Sequence, residues 1–175
     1  ARRRCAAGAQ FPRRDSEQIT GARWPCVASF GSPSHLTGCA RCICVLWLLQ
    51  VSTSRYWFNY RHTTNALTIY HRLRRAGVSD DNIVLMLADD LACDPRSPER
   101  GRMYNDLEHS VDIYSDVSVD YRGNDVSARN FLNVLSGRHV AGTAATQRLQ
   151  SDGSSDLLVY MTGHGGDEFL KFRDY

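Results

Sequence analysis

No apolar run in this sequence is long enough to cross a bilayer as a helix. The strongest candidate, Ile43 to Leu49, falls far short of the ~20 residues that a span needs. It also begins too late for a secretion signal, whose charged start and apolar core fill roughly the first 15 to 30 residues. Phosphate-binding glycine spacing is missing too: Gly163-His164-Gly165-Gly166 fits neither the dinucleotide fingerprint nor the P-loop. Metal-ligand spacing is scarce. Five of the six cysteines, Cys5, Cys26, Cys39, Cys42 and Cys44, lie in the first fifty residues. The Cys39-x-x-Cys42 gap has no second pair and no paired histidines after it, which argues against a zinc site. Cys93 stands alone in the remainder; in an oxidising compartment it needs an outside partner or stays a free thiol. The basic clusters Arg2-Arg3-Arg4 and Arg13-Arg14 have no ordered motif around them, so they make no case for nucleic acid.

What is present suits one globular domain. The chain has 175 residues, 42% hydrophobic and 10% aromatic, enough for a single core. Its net charge of +2 hides a split, with basic residues dominating the start and acidic ones gathered between Asp80 and Asp125.

The most informative stretch runs from Asp156 to Phe172. Leu157 to Met161 is a continuous apolar run, the pattern of a strand buried on both faces. A glycine-rich turn follows and presents His164 at the carboxyl end of that strand, where ligands bind in open α/β sheets. A lone histidine in such a turn is more often only a tolerated loop residue.

Residues 1 to 42 show neither helical nor strand period, and are expected to be an unstructured segment that is non-native or comes from a misassigned gene start. Cys42 to Val51 suits a first strand, although its leucines leave helix open. Thr64 suits a helix cap; Ala66, Leu67, Ile69, Tyr70, Leu73 and Ala76 recur at helical spacing and Gly77 ends the helix. Asn82 to Ala88 reads as another buried strand closed by Asp89-Asp90. Strand, helix, strand in this order predicts a parallel crossover. Residues 93 to 120 read as a long polar excursion, with 112 to 120 alternating enough for an edge hairpin. A second helix is expected from Asn124 or Asp125 to Gly137, and Phe169 to Phe172 as an edge strand.

Several of these segments together resemble one family. Ser54-Arg-Tyr-Trp-Phe-Asn-Tyr-Arg-His62, Ile83-Val-Leu-Met-Leu-Ala-Asp-Asp-Leu-Ala-Cys-Asp-Pro95, Val119-Asp-Tyr-Arg122, Asn130-Phe-Leu132, Gly137-Arg138 and Tyr160-Met-Thr-Gly-His-Gly-Gly166 are similar, in the same order, to motifs of the legumain-like cysteine peptidases. The likeness is greatest to the branch that transfers proteins onto glycosylphosphatidylinositol (GPI). The resemblance implies a caspase-like α/β/α sandwich with a mostly parallel sheet, of which residues 43 to 175 would be the N-terminal half.

By the same resemblance His164 is the catalytic base and acid, Asn59 orients it, and Gly165 forms the turn at the oxyanion. Arg61 and His62 line the substrate pocket, Cys93 bonds to another subunit, and Asp80 and Asp120 hold a structural calcium ion. Ser118 stands where a further acidic calcium ligand is expected. The chemistry itself requires no cofactor. Implied partners are the other subunits of a membrane transamidase complex, the C-terminal signal of a precursor and the glycolipid, in the lumen of the endoplasmic reticulum.

Without the resemblance, Asn59 reads equally as a turn cap, Arg61 as an ion-pair partner of Asp89 or Asp90, and Asp89-Asp90 as either a functional pair or a cap. The nucleophilic cysteine is expected on a strand after Tyr175. The chain is therefore expected to be inactive alone, marginal in folding, and to leave one edge of the 157 to 161 strand unpaired. Alternatives are an asparaginyl endopeptidase, with water as acceptor, and a non-catalytic module whose glycine turn binds an anion or a partner.

Overall fold

A computed structural model describes residues 45–173; the reading of residues 1 to 42 lies outside them. The chain forms a four-stranded sheet flanked by helices. Strand β1 (Val45–Ser52) lies between β2 (Ile83–Leu87) and β4 (Ser155–Thr162), with β3 (Tyr121–Arg122) beyond β2. Every pairing is parallel, and the register runs from Val45↔Ser155 to Ser52↔Thr162 on one side of β1 and from Leu48↔Ile83 to Ser52↔Leu87 on the other.

The leucines of β1 adopt a strand because the middle of the sheet can cover both of its faces, which outweighs their helix propensity. Leu48 joins a core with Ala66, Leu67, Tyr70 and Leu85; Leu49 and Val51 join a second core with Val84, Met86, Phe131 and Val134. The first core lies under helix α1 (Tyr60–Arg75) and the second under α2 (Ala128–Leu135). The result is the expected three-layer α/β/α order. Gln50, fully buried in β1, donates from its side-chain amide to the Ala66 carbonyl and ties α1 to the sheet.

Several local expectations change. Among the described residues β4 pairs only with β1, which leaves one edge of the strand unpaired as expected, but Leu157, Leu158, Val159 and Met161 are each 38–40% exposed rather than buried on both faces. α1 begins at Tyr60, ahead of Thr64, whose hydroxyl donates to the Arg61 carbonyl within the helix (3.0 Å). α2 begins at Ala128, because Ser127 Oγ accepts from Asn130 N (3.2 Å) and caps it.

Residues 112 to 120 form no hairpin. Asp112 accepts from the backbone amides of Met103 and Tyr114 (3.2 and 2.9 Å), a side-chain competition that displaces strand pairing. Met103, Ile113, Tyr114 and Val117 are buried in the first core, so the excursion covers α1 rather than running over the surface. Phe169–Leu170 (β6) pairs antiparallel with Gly165–Gly166 (β5) in a separate two-stranded ribbon.

Asp80 and Asp120 do lie near one another. Asp120 Oδ2 accepts from Leu85 N and its own N donates to Leu85 O, both at 2.9 Å. Asp80 accepts from the Tyr70 hydroxyl and lies 3.9 Å from Arg74 Nε. Calcium takes six to eight oxygen ligands. Among the described residues no group of three acidic, histidine or cysteine side chains is placed to hold an ion, and Ser118 supplies no carboxylate. This donor set does not fit a calcium ion. Burial, with repulsion from Asp80, pushes the Asp120 carboxyl up to about 7, against the pull of the Leu85 amide.

Where β4 leaves the sheet, a Cβ on Gly163 would lie 1.9 Å from Thr53 Oγ1, so the two strand ends approach only because residue 163 has no side chain. Gly163→Ala is expected to lower stability by about 1–3 kcal/mol, the usual range for overpacking, as read by thermal or urea unfolding. Asp120 makes an opposite, pH-dependent prediction. Its folded pKa lies above the unfolded value of 3.8, so the fold loses stability as pH rises from about 4 to about 7. Asp120→Asn, which keeps an acceptor for Leu85 N, is expected to raise the melting temperature at pH 8 and to give little gain at pH 4; equal effects at both pH values would refute the assignment.

Candidate active site

The last register pair between β1 and β4, Ser52↔Thr162, brings the loops after these two strands out side by side. Thr53 N donates to Thr162 O (2.9 Å), extending the ladder by one step. Beyond it the loops touch through side chains. Ser54 Oγ accepts from His164 N at 3.2 Å, and Asn59, at the end of the 3-10 turn Trp57–Asn59 that leads into α1, meets the imidazole. The distance from Asn59 Oδ1 to His164 Nε2 is 2.6 Å.

That bond settles the tautomer. Asn59 is 99% buried, and its Nδ2 donates to the Arg55 carbonyl at 2.6 Å, so its oxygen is the atom facing the ring. A carbonyl oxygen only accepts, hence the proton sits on Nε2 and leaves Nδ1 of the neutral imidazole as the basic nitrogen. The backbone of the turn is pinned as well. Lys171 N donates to His164 O (2.8 Å) and Arg173 N to Thr53 O (3.0 Å), so the segment after β6 folds back across the loops. Gly165 and Gly166 beside the ring are exposed; a Cβ on Gly165 would lie 2.7 Å from Phe169 O, which limits that position to glycine.

His62, on the first turn of α1, packs edge-on against His164 with ring centroids 5.0 Å apart. Its Nδ1 lies 3.3 Å from Thr162 Oγ1. Arg61 points elsewhere: it donates to the Phe58 carbonyl (3.1 Å) and lines a cleft of about 380 Å³ with Trp57, Tyr60 and Tyr104. The structure thus brings His164, Asn59 and His62 together and parts Arg61 from them.

Nor does Arg61 pair with the acidic residues after β2. Asp89 accepts from Tyr56 N (2.8 Å) and from Asp90 N (2.9 Å), whereas Asp90 accepts from the Tyr114 hydroxyl (2.9 Å) and lies 3.8 Å from Arg122. Cys93 closes the 3-10 turn Leu91–Cys93. Its sulfur is disulfide-bonded, so it is not the lone thiol that its place in the sequence suggests.

Ser54 and Thr162 are the contacts that sequence reasoning passes over. A hydroxyl residue closing an apolar strand, as Thr162 does, is the signal that would have found the second; Ser54 carries no such mark.

An imidazole with one nitrogen held by an amide oxygen and the other basic is suited to taking a proton from a nucleophile and returning it to a leaving group. The comparisons with known proteins agree in kind. A family model described as the peptidase C13 family matches residues 46–175. The chain is 50% identical over 129 residues to the GPI-anchor transamidase of Homo sapiens, covering 73% of this chain and 33% of the relative. It is 50% identical to the putative GPI-anchor transamidase of Drosophila melanogaster, covering 36% of that protein, and 47% identical to the GPI-anchor transamidase of Saccharomyces cerevisiae, covering 31%. The chain therefore spans about a third of the length of the curated relatives it matches. Because the matched residues run from β1 to beyond the turn after β4, and include both halves of the Asn59–His164 contact, this chain belongs to the peptidase C13 family.

Proposed function

We propose that the chain is the histidine-bearing, N-terminal part of the peptidase domain of a GPI-anchor transamidase catalytic subunit, acting on the lumenal side of the endoplasmic reticulum. The observation that carries this reading is the 2.6 Å contact between Asn59 and His164, in a chain about half identical to proteins of that name. In it the substrate is a precursor with a C-terminal signal, cut after a small residue. The acceptor is the amine of a preformed glycolipid, and the partners are the other subunits of a membrane complex. None of the described helices is long and apolar enough to cross a membrane.

In this reading a cysteine thiol supplied outside the described residues gives its proton to His164 Nδ1 as sulfur attacks the scissile carbonyl. The carbon–nitrogen bond breaks, and the same proton goes to the leaving amine. The thioester left behind is attacked by the glycolipid amine, which passes a proton back through Nδ1 while the carbon–sulfur bond breaks and the thiolate returns. Asn59 keeps Nε2 protonated and the ring oriented throughout, and its oxygen steadies the imidazolium that forms in each half-reaction. The backbone amide of Gly165, in the exposed turn, faces the developing oxyanion. His62 braces the imidazole from the side. Arg61, parted from this group, meets the substrate chain only where that chain reaches the cleft beside Trp57 and Tyr104. The names of the relatives favour an amine over water as acceptor, and so transamidation over the hydrolysis of an asparaginyl endopeptidase.

Two substitutions in the full-length protein test this. His164→Ala removes the proton carrier, which contributes roughly 10² to 10⁴-fold, and is expected to abolish surface display of a GPI-anchored reporter in cells lacking the native subunit. Undiminished display would refute the assignment. Asn59→Ala frees the ring without removing it and is expected to give a partial loss, smaller than that of His164→Ala, with the protein still present at normal abundance.

A further inference from the structure

Tyr56, between β1 and α1, stands at φ 71° and ψ 150°, a region of backbone space that is essentially reserved for glycine. Side-chain packing does not impose it. The ring is 45% exposed and stacks on Phe58, itself 70% exposed, at 5.7 Å between centroids. What holds the residue is its backbone. Tyr56 N donates to Asp89 Oδ2 at 2.8 Å, and Asp89 is itself fixed at the end of β2, because its other oxygen accepts from Asp90 N at 2.9 Å.

Downstream of this clamp lies the candidate active site. Tyr56 O accepts from Asn59 N at 3.0 Å, closing the turn. The preceding carbonyl, Arg55 O, accepts from Asn59 Nδ2 at 2.6 Å, and Asn59 Oδ1 meets His164 Nε2. If the Tyr56 amide is released, the residue relaxes toward negative φ, and the two carbonyls that hold Asn59, one by its backbone and one by its side chain, turn with it.

We propose that Asp89 is a positioning residue for the Asn59–His164 pair: from the end of β2 it holds the strained turn at Tyr56 that sets Asn59 against the imidazole. Both carboxylate oxygens are used as acceptors, which an asparagine cannot reproduce, since one of its terminal atoms only donates. The proposal deepens the transamidase reading and rests on it only for its effect on rate.

The test uses the full-length protein in its complex and two readouts, the Asn59–His164 separation from an experimental structure of the variant and anchor attachment in cells. Asp89→Ala is expected to open the contact beyond hydrogen-bond distance and to cut attachment by about 10²-fold, the scale of loss for a small misplacement of a reacting group. Tyr56→Gly added to Asp89→Ala is expected to restore both, because glycine adopts that backbone conformation without a clamp; a role of Asp89 in general stability would not be rescued this way. If Asp89→Ala does not accumulate, Asp89→Asn with and without Tyr56→Gly reads the same rescue. An intact contact in the single variant, or failure of the glycine to restore it, overturns the proposal. A contact that opens and recloses while attachment stays at the wild-type level upholds the positioning role and overturns the catalytic reading of His164 instead.

Discussion

The parallel pairing of β1 with β4, in register as far as Ser52↔Thr162, is the constraint on which the rest of the structure depends. Two strands far apart in sequence end at the same level, and the loops that leave them have no choice but to meet. The candidate site lies in the next few positions of each. One loop supplies Ser54 and Asn59, the other His164, and the contact between them needs no long side chain to span a gap. A one-residue slip in that register would shift Thr162 and the glycine turn by about 3.3 Å along the strand and exchange the faces on which alternate side chains stand.

Much of this was legible in the sequence, because strands and turns write strong local signals. The apolar runs at Ile83 to Leu87 and Leu157 to Met161, and the glycines around His164, name two strands and a turn without help. α1 declares itself through its helical spacing and its stop at Gly77, whose φ is 98°. The middle strand was the ambiguous one, since leucine is compatible with helix and only burial on both sides settles the matter. The apolar run of β4 names a strand, and among the described residues one edge of it is unpaired as expected.

The losses in the site have a different cause. His164 and Asn59 stand out by resemblance, but what each touches depends on loops more than a hundred residues apart in sequence. Arg61 and His62 are neighbours in the chain and part company because adjacent positions on a helix point about 100° away from each other. Asp112 hid in an alternating stretch; its carboxylate, bonded to two backbone amides, converts a plausible hairpin into a packed loop. Asp80 and Asp120 show the limit of carrying over a ligand set, since one serine in place of an acid leaves two carboxylates that repel each other.

β4 has one further consequence. Along a strand bonded on a single side, alternate backbone amides turn toward the neighbour and the others toward the open flank. Among the described residues β1 holds one set of these amides, and the other set faces the flank on which a following strand would pair. The imidazole is thus carried on a rail that β1 steadies from one flank and the returning segment at Lys171 and Arg173 steadies from its end.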